Sequence, residues 1–235
     1  MTTRLFAALL IYRDDTAHSA ALNMAIDEAL LQQATVPSVR CYQWYSPAVS
    51  FGYFGKLADV ASYAGERDLV RRWTGGGIVF HGNDLTYSIV IPASDTAFSE
   101  SSIWIYEKIH CALAHALNNI GERAVVAGGV DPGPIGSATR AAVTASGYNC
   151  FANPVRADVM IDGRKVAGAA QRRVRSGLLQ QGSIQGVDLG NGLAGRFARA
   201  LSANCSERKI DDEILNRAQE LAHSKYGTDT WLHKR

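Results

Sequence analysis

"VRADVMIDGRKVAGAAQ", residues 155–171, holds two runs of alternating apolar and polar side chains joined by Asp162-Gly163. Asp-Gly between such runs predicts a two-residue hairpin, because a type I′ turn needs positive φ at both central positions. The turn sets the register: Ile161 opposes Arg164 and Met160 opposes Lys165. Val159, Ile161 and Val166 then share a face suited to a core, while Asp158, Met160, Lys165 and Ala167 share the other. On that second face Asp158 lies diagonally within reach of Lys165. Read alone, such a lysine is a solvated strand residue.

Working outward, "LLQQGSI" (178–184) is expected to pair next in the sheet. Further short strands are read at 38–44, 48–54, 69–73, 76–81 and 85–92, the last ended by Pro92. The apolar run within residues 1–15 adds a first strand. Residues 18–33 place Leu22, Ala25, Ile26, Ala29 and Leu30 on one helical stripe. A second helix is expected from about Ser101 to Asn118, capped by Ser99 or a neighbour, and a terminal one from Asp211 to Lys225. Strands in the middle with helices around them give an α+β class. Residues 127–147 are rich in Gly and Pro and read as one long loop. Nothing in the composition divides the chain, so residues 1–235 are expected to form a single catalytic domain.

Hydrophobic content of 47%, charged content of 20% and a formal charge of +2 are those of an ordinary globular chain and argue against a nucleic-acid partner. No apolar run nears the roughly 20 residues of a membrane helix, and no cleavage pattern follows the first apolar run, so a cytoplasmic location is expected. The four cysteines, Cys41, Cys111, Cys150 and Cys205, have no C-x-x-C or zinc spacing, so no metal site is expected. Cys41 and Cys111, among apolar neighbours, read as small buried hydrophobes.

"RRWTGGGIVFHG" (71–82) carries three consecutive glycines. Such a run costs backbone entropy and is placed where something must approach the main chain closely. It fits neither phosphate-loop nor dinucleotide spacing, and β-type residues follow it. Read alone, it is a tight bend between strands.

Taken together, "NMAIDEALL", "SPAVSFGYF", "RRWTGGGIVFHGNDLTYS", "NCFANPVRADVMIDGRKVAGAAQRR" and "LQQGSI" resemble, in order and spacing, the lipoate-protein ligase and octanoyltransferase family related to biotin protein ligases. The resemblance spans roughly residues 18 to 185. It implies a mixed, largely antiparallel sheet flanked by helices, and an acyl tunnel lined by the glycine strand. About 0.8 kcal/mol per buried CH₂ makes such a tunnel worth several kcal/mol of binding. Arg72, Thr74, Gly75, Gly76, Gly77, His81 and Asp158 are the implied substrate-binding residues. Lys165, in "GRKVAG", matches the lysine beside the reacting carbonyl.

Two chemistries occur in the family. Ligases activate lipoate with ATP and magnesium. Transferases take octanoate from acyl carrier protein and need no cofactor. Cys150 resembles the acyl-carrying cysteine of the cysteine-dependent octanoyltransferases; without the resemblance it would read as a buried structural thiol. A thiolate exchanges readily with a thioester, and a nearby ammonium favours the thiolate. "HGNDLTYS" is transferase-like, and the chain is short for a one-chain ligase with its C-terminal domain. "TGGGIVF" is ligase-like, since transferases usually carry arginine at the position of Gly77. Ala157 stands where ligases have asparagine, and Gly82 where both groups often have aspartate. The implied reading is a monomeric octanoyltransferase using Cys150 and Lys165. Its donor is octanoyl acyl carrier protein, and its acceptor a lipoyl domain or the glycine-cleavage H protein. An amidotransferase between two such domains would use the same cysteine. The alternatives are an ATP-dependent ligase, with its accessory domain on a second chain, and a non-catalytic acyl-binding module.

Overall fold

The computed structural model describes residues 4–128, 155–190 and 192–234. Eleven strands and five α-helices are described. The strands are β1 (Leu9–Arg13), β2 (Ser38–Tyr42), β3 (Ala48–Phe51), β4 (Asp68–Arg71), β5 (Val79–His81), β6 (Leu85–Pro92), β7 (Ala124–Val126), β8 (Val159–Ile161), β9 (Arg164–Val174), β10 (Gly177–Ile184) and β11 (Cys205–Lys209). The helices are α1 (Ala20–Gln33), α2 (Ser102–Asn118), α3 (Leu193–Leu201), α4 (Asp212–Leu221) and α5 (Asp229–Leu232). Eight strands form one sheet in the order β11-β1-β2-β6-β10-β9-β8-β7, and β4-β3-β5 form a second. Pairing is parallel at β1–β11, β1–β2 and β3–β4 and antiparallel elsewhere, the mixed and largely antiparallel α+β arrangement expected.

The hairpin forms as the sequence requires. Asp162 and Gly163 have φ of 49° and 77°, Ile161 faces Arg164 and Met160 faces Lys165. One detail differs. The register shifts between Val159 and Met160, so Val159 pairs with Ala167 rather than with Val166. This bulge turns Ala167, expected beside Lys165, into the core with Val166. An extra residue in one strand flips the faces that strict alternation assigns.

The large sheet has a core on each side. Ile105, Ile109, Leu113 and Leu117 of α2 and Phe197 and Leu201 of α3 pack over Tyr87, Ile89, Val166 and Leu178. On the other face α1 and α4 pack together over Val90 and Leu179. Ser19 caps α1 through Leu22 N, and Ser101, rather than Ser99, caps α2 through Trp104 N. The terminal helix ends at Leu221, four residues short of the expected Lys225; a π-turn over Ala222–Tyr226 leads into α5. That segment is fixed by Arg71, whose buried guanidinium donates to the carbonyls of Tyr53, Gly55, Trp231 and Leu232. Among the described residues no helix is long and apolar enough to cross a membrane.

Candidate functional site

Between the two sheets and the flank of α1 lies a narrow, partly open cavity. Met24, Tyr42, Trp44, Arg72, Gly76, Val79, Ala169 and Ala170 contribute to its wall, together with Lys165 and Gly168. Many wall residues are polar, yet the surface presented is mainly carbon. The polar heads achieve this by satisfying one another.

His81 is held by two such bonds. Its Nδ1 lies 2.7 Å from Asp84 Oδ2 and its Nε2 lies 2.6 Å from Ser50 Oγ. Burial lowers the imidazole pKa against the pull of Asp84. The ring is therefore neutral at pH 7, with Nδ1–H donating to Asp84 and Nε2 accepting from Ser50. Burial would raise the Asp84 carboxyl, but bonds from His81, Ser183 and Gly82 N outweigh it and hold it below its ordinary value. Thr86 Oγ1 donates to the same carboxylate and accepts from Trp44 Nε1, while the Trp44 ring stacks on His81 at 4.0 Å. Ser50, His81 and Asp84 follow the bonding order of a nucleophile, base and orienting acid. Two features make this line a wall instead. Arg72 Nη1 donates to Ser50 Oγ at 2.7 Å and draws density from it, and Trp44 covers one imidazole face.

The glycine stretch forms the roof. Arg72 Nη2 donates to the carbonyls of Gly75 and Gly77 at 3.0 and 2.7 Å, pinning the loop from within. Gly76 borders the cavity with φ of 83°, and a Cβ there would stand 3.2 Å from the Ala170 Cβ. A side chain would thus be strained by its backbone and would press on the opposite strand. Thr74 stands behind the wall, buried, donating to Gln181 Oε1 at 2.8 Å.

Lys165 is buried, and its Nζ lies 2.8 Å from Asp158 Oδ2, so the diagonal pair read from the hairpin is present. Tyr106 of α2 donates to Asp158 Oδ1 at 2.8 Å and accepts from Ala169 N at 3.0 Å, and Val155 N donates to Oδ2 at 2.7 Å. Asp158 is thereby fixed on three sides. Gly168 makes room for the lysine: a Cβ there would stand 2.5 Å from Lys165 Cε. Arg72, Gly76, His81, Lys165 and, through Lys165, Asp158 thus gather at one cavity; Gly75, Gly77 and Thr74 support its roof. Cys150 lies outside the described residues. So does most of the Gly/Pro-rich stretch, of which 127 and 128 are described. Cys41, read as a buried hydrophobe, is half-buried against the core, and burial pushes its thiol up to about 12. Cys111 is also half-buried.

Beneath Asp158, His110 of α2 is fully buried. Its Nδ1 lies 2.5 Å from the carbonyl of Ala157, a residue with φ of 69°, and its Nε2 lies 3.0 Å from Tyr87 OH. Burial lowers the His110 pKa from 6.5 to about 4. The unfolded chain therefore binds this proton near pH 6.5 and the native protein only near pH 4. The stability this neutral histidine contributes is complete above the unfolded value and is lost as pH falls towards the folded one. Between pH 7.5 and pH 5 the loss is about 2 kcal/mol. Urea denaturation at the two pH values measures it, and His110→Gln should remove that part of the pH dependence; an unchanged dependence in the variant would refute the assignment.

A narrow cavity between two sheets, with mainly apolar walls and one buried lysine–aspartate pair, is the candidate site of this chain. Residues 19–211 match the lipoyl protein ligase A/B catalytic domain, and the chain belongs to that family. It is 31% identical to octanoyltransferase LipM of Symbiobacterium thermophilum, over 92% of this chain and 96% of that protein. It is 29% identical to LipM of Brevibacillus brevis, over 93% and 96% of the two chains. Among solved structures it resembles a bipartite lipoate protein ligase of Thermoplasma acidophilum, with a TM-score of 0.71 at 20% identity, covering 97% of this chain and 96% of that one.

Sequence reading missed Ser50, Asp84, Tyr106 and His110 as parts of the site. Asp84 carried the one usable signal, its place three residues after His81 in "HGNDLTYS". Tyr106 and His110 lie on α2 at a four-residue spacing that reads as helix packing; only the assembled fold brings the helix against Ala157 and Asp158.

Proposed function

We propose that this chain is an octanoyltransferase of lipoate metabolism that moves an octanoyl group from acyl carrier protein to a lysine of a lipoyl domain through a thioester on Cys150. The observation that carries the reading is the buried Lys165 ammonium, held by Asp158 at a cavity whose walls suit an alkyl chain. The similarity to LipM octanoyltransferases over most of the chain supports the choice of transfer.

The Cys150 thiolate attacks the thioester carbonyl carbon, forming a C–S bond. Negative charge gathers on the carbonyl oxygen, where the Lys165 ammonium stabilises it. The carrier thiolate leaves and takes up a proton. A neutral lysine amine of the acceptor then attacks the Cys150 acyl group, the amide forms, the cysteine thiolate departs and the ammonium proton passes to water. Splitting the transfer lets two large partners use one cavity in turn. Gly76 lets the chain lie against the backbone, and Arg72 keeps the roof in place. No step calls for ATP or magnesium.

Mass spectrometry tests the covalent step. Incubation with octanoyl acyl carrier protein should add one octanoyl group at Cys150, and Cys150→Ala should lose both the adduct and the transfer. Transfer retained in Cys150→Ala, or dependent on lipoate and ATP, would overturn the reading in favour of a ligase.

A further inference from the structure

Arg172 departs from the rule that buried donors are bonded. It lies on β9 two residues beyond Ala170, on the cavity side of the sheet. Its guanidinium sits between two rings, 5.1 Å from Tyr53 and 5.1 Å from Trp73, and its Nε is buried with no hydrogen-bond partner among the described residues. Two lysines share the same aromatic cluster. Lys225 Nζ stands 4.4 Å from the Trp73 ring and 4.5 Å from Trp231, and Lys234 Nζ stands 4.9 Å from Tyr53 and 5.0 Å from Trp231. Glu28 pairs with Lys225 at 2.5 Å. Neither Arg172 nor Lys234 has a carboxylate partner among the described residues. Beside them Phe54 is 85% exposed, its ring edge-on to Tyr53.

Cations held over rings, with an exposed aromatic at their edge, have the composition of a protein-binding hot spot, and the excess of positive charge calls for an acidic partner. Position selects which partner. The Lys165 ammonium lies beside Gly168, four residues before Arg172 on one extended strand, about 13 Å at 3.3 Å per residue. An acceptor lysine has only a four-carbon stem with which to reach Lys165. A donor that presents its thioester on a long prosthetic arm can dock at that distance and still deliver the carbonyl. Trp73 also adjoins Thr74 and the glycine roof, so a carrier docked here stands beside the cavity.

We infer that Arg172, Lys234, Tyr53 and Phe54 form the docking surface for an acidic face of the acyl-donating carrier protein. The inference rests on the proposed transfer reaction and names where its donor binds. The test compares wild type with Lys234→Glu and Arg172→Glu, using two donors: octanoyl acyl carrier protein and the small uncharged octanoyl-pantetheine. For the carrier donor, KM should rise at least tenfold with kcat little changed, and its increase with added NaCl should be weaker than in wild type. With octanoyl-pantetheine Lys234→Glu should match wild type. In Lys234→Glu, an unchanged KM for the carrier, an equal loss with the small donor, or a rise confined to the acceptor domain would each overturn the inference. Lys234 is exposed, so its variant reads out docking even where Arg172→Glu disturbs the roof. Failure of the wild type to transfer octanoate from either donor would instead refute the underlying reaction.

Discussion

Lys165→Met is expected to lose octanoyl transfer by a factor of about 10² to 10³, the usual effect of removing one group that stabilises a developing oxyanion. The same variant should also lose about 3–5 kcal/mol of stability, because it leaves Asp158 as a buried carboxylate without its cation. The two losses have different causes and can be separated. In the double variant Lys165→Met, Asp158→Asn, the buried site is neutral, and the amide oxygen can still accept from Tyr106. Most of the stability should return, since replacing a whole buried ion pair is often close to neutral, short of wild type by about 1 kcal/mol for the lost Val155 N–H bond. Activity should stay lost, because the ammonium is still missing. Thermal denaturation and single-turnover transfer on the three proteins decide the matter. If the double variant regains activity with its stability, the ion pair is structural and Lys165 is removed from the chemistry.

That pair was legible in the sequence because a two-residue turn fixes register by counting alone. Asp162-Gly163 placed Met160 opposite Lys165 and brought Asp158 within reach, and all of this depends on local backbone geometry. The bulge at Val159 was not legible. It answers to packing against α2, and alternation over three or four residues carries no record of an inserted one. Likewise the glycine run announced a close approach to the backbone, but local sequence could not say which glycine borders the cavity. Gly76 does so, while the carbonyls of its two neighbours are bonded to Arg72. The partners of His81 were hidden for a different reason. Ser50 reaches it across a sheet pairing, and Trp44 covers it from the end of β2; these contacts exist only once both sheets are assembled.

The same limit applied to α1, where the apolar stripe was read correctly but the acid inside it was not. Asp27 is fully buried and accepts four bonds: Arg40 Nη1 at 2.8 Å and Ser88 Oγ at 2.7 Å on one oxygen, Tyr42 OH at 3.0 Å and Gln181 Nε2 at 2.7 Å on the other. Arg40, itself buried, divides its charge between Asp27 and Asp14 and lies 3.9 Å over the Tyr42 ring. Removing the carboxylate leaves that guanidinium half-compensated and three neutral donors facing an apolar void. Asp27→Ala should therefore cost about 3–5 kcal/mol, among the largest effects a single substitution in this protein can have. Asp27→Asn, which keeps one acceptor oxygen but not the charge, should fall between the two. Function should follow by a stated route. Gln181 accepts from Thr74 while donating to Asp27, so loss of Asp27 loosens the link between the sheet and the glycine roof. KM for the acyl donor should rise in Asp27→Asn at temperatures where the protein remains folded, and Thr74→Val should reproduce that rise with a smaller loss of stability. Urea denaturation together with steady-state kinetics measures both. A loss below about 1 kcal/mol in Asp27→Ala would mean that Asp14 alone compensates Arg40, a surface-like cost that a buried pair does not allow.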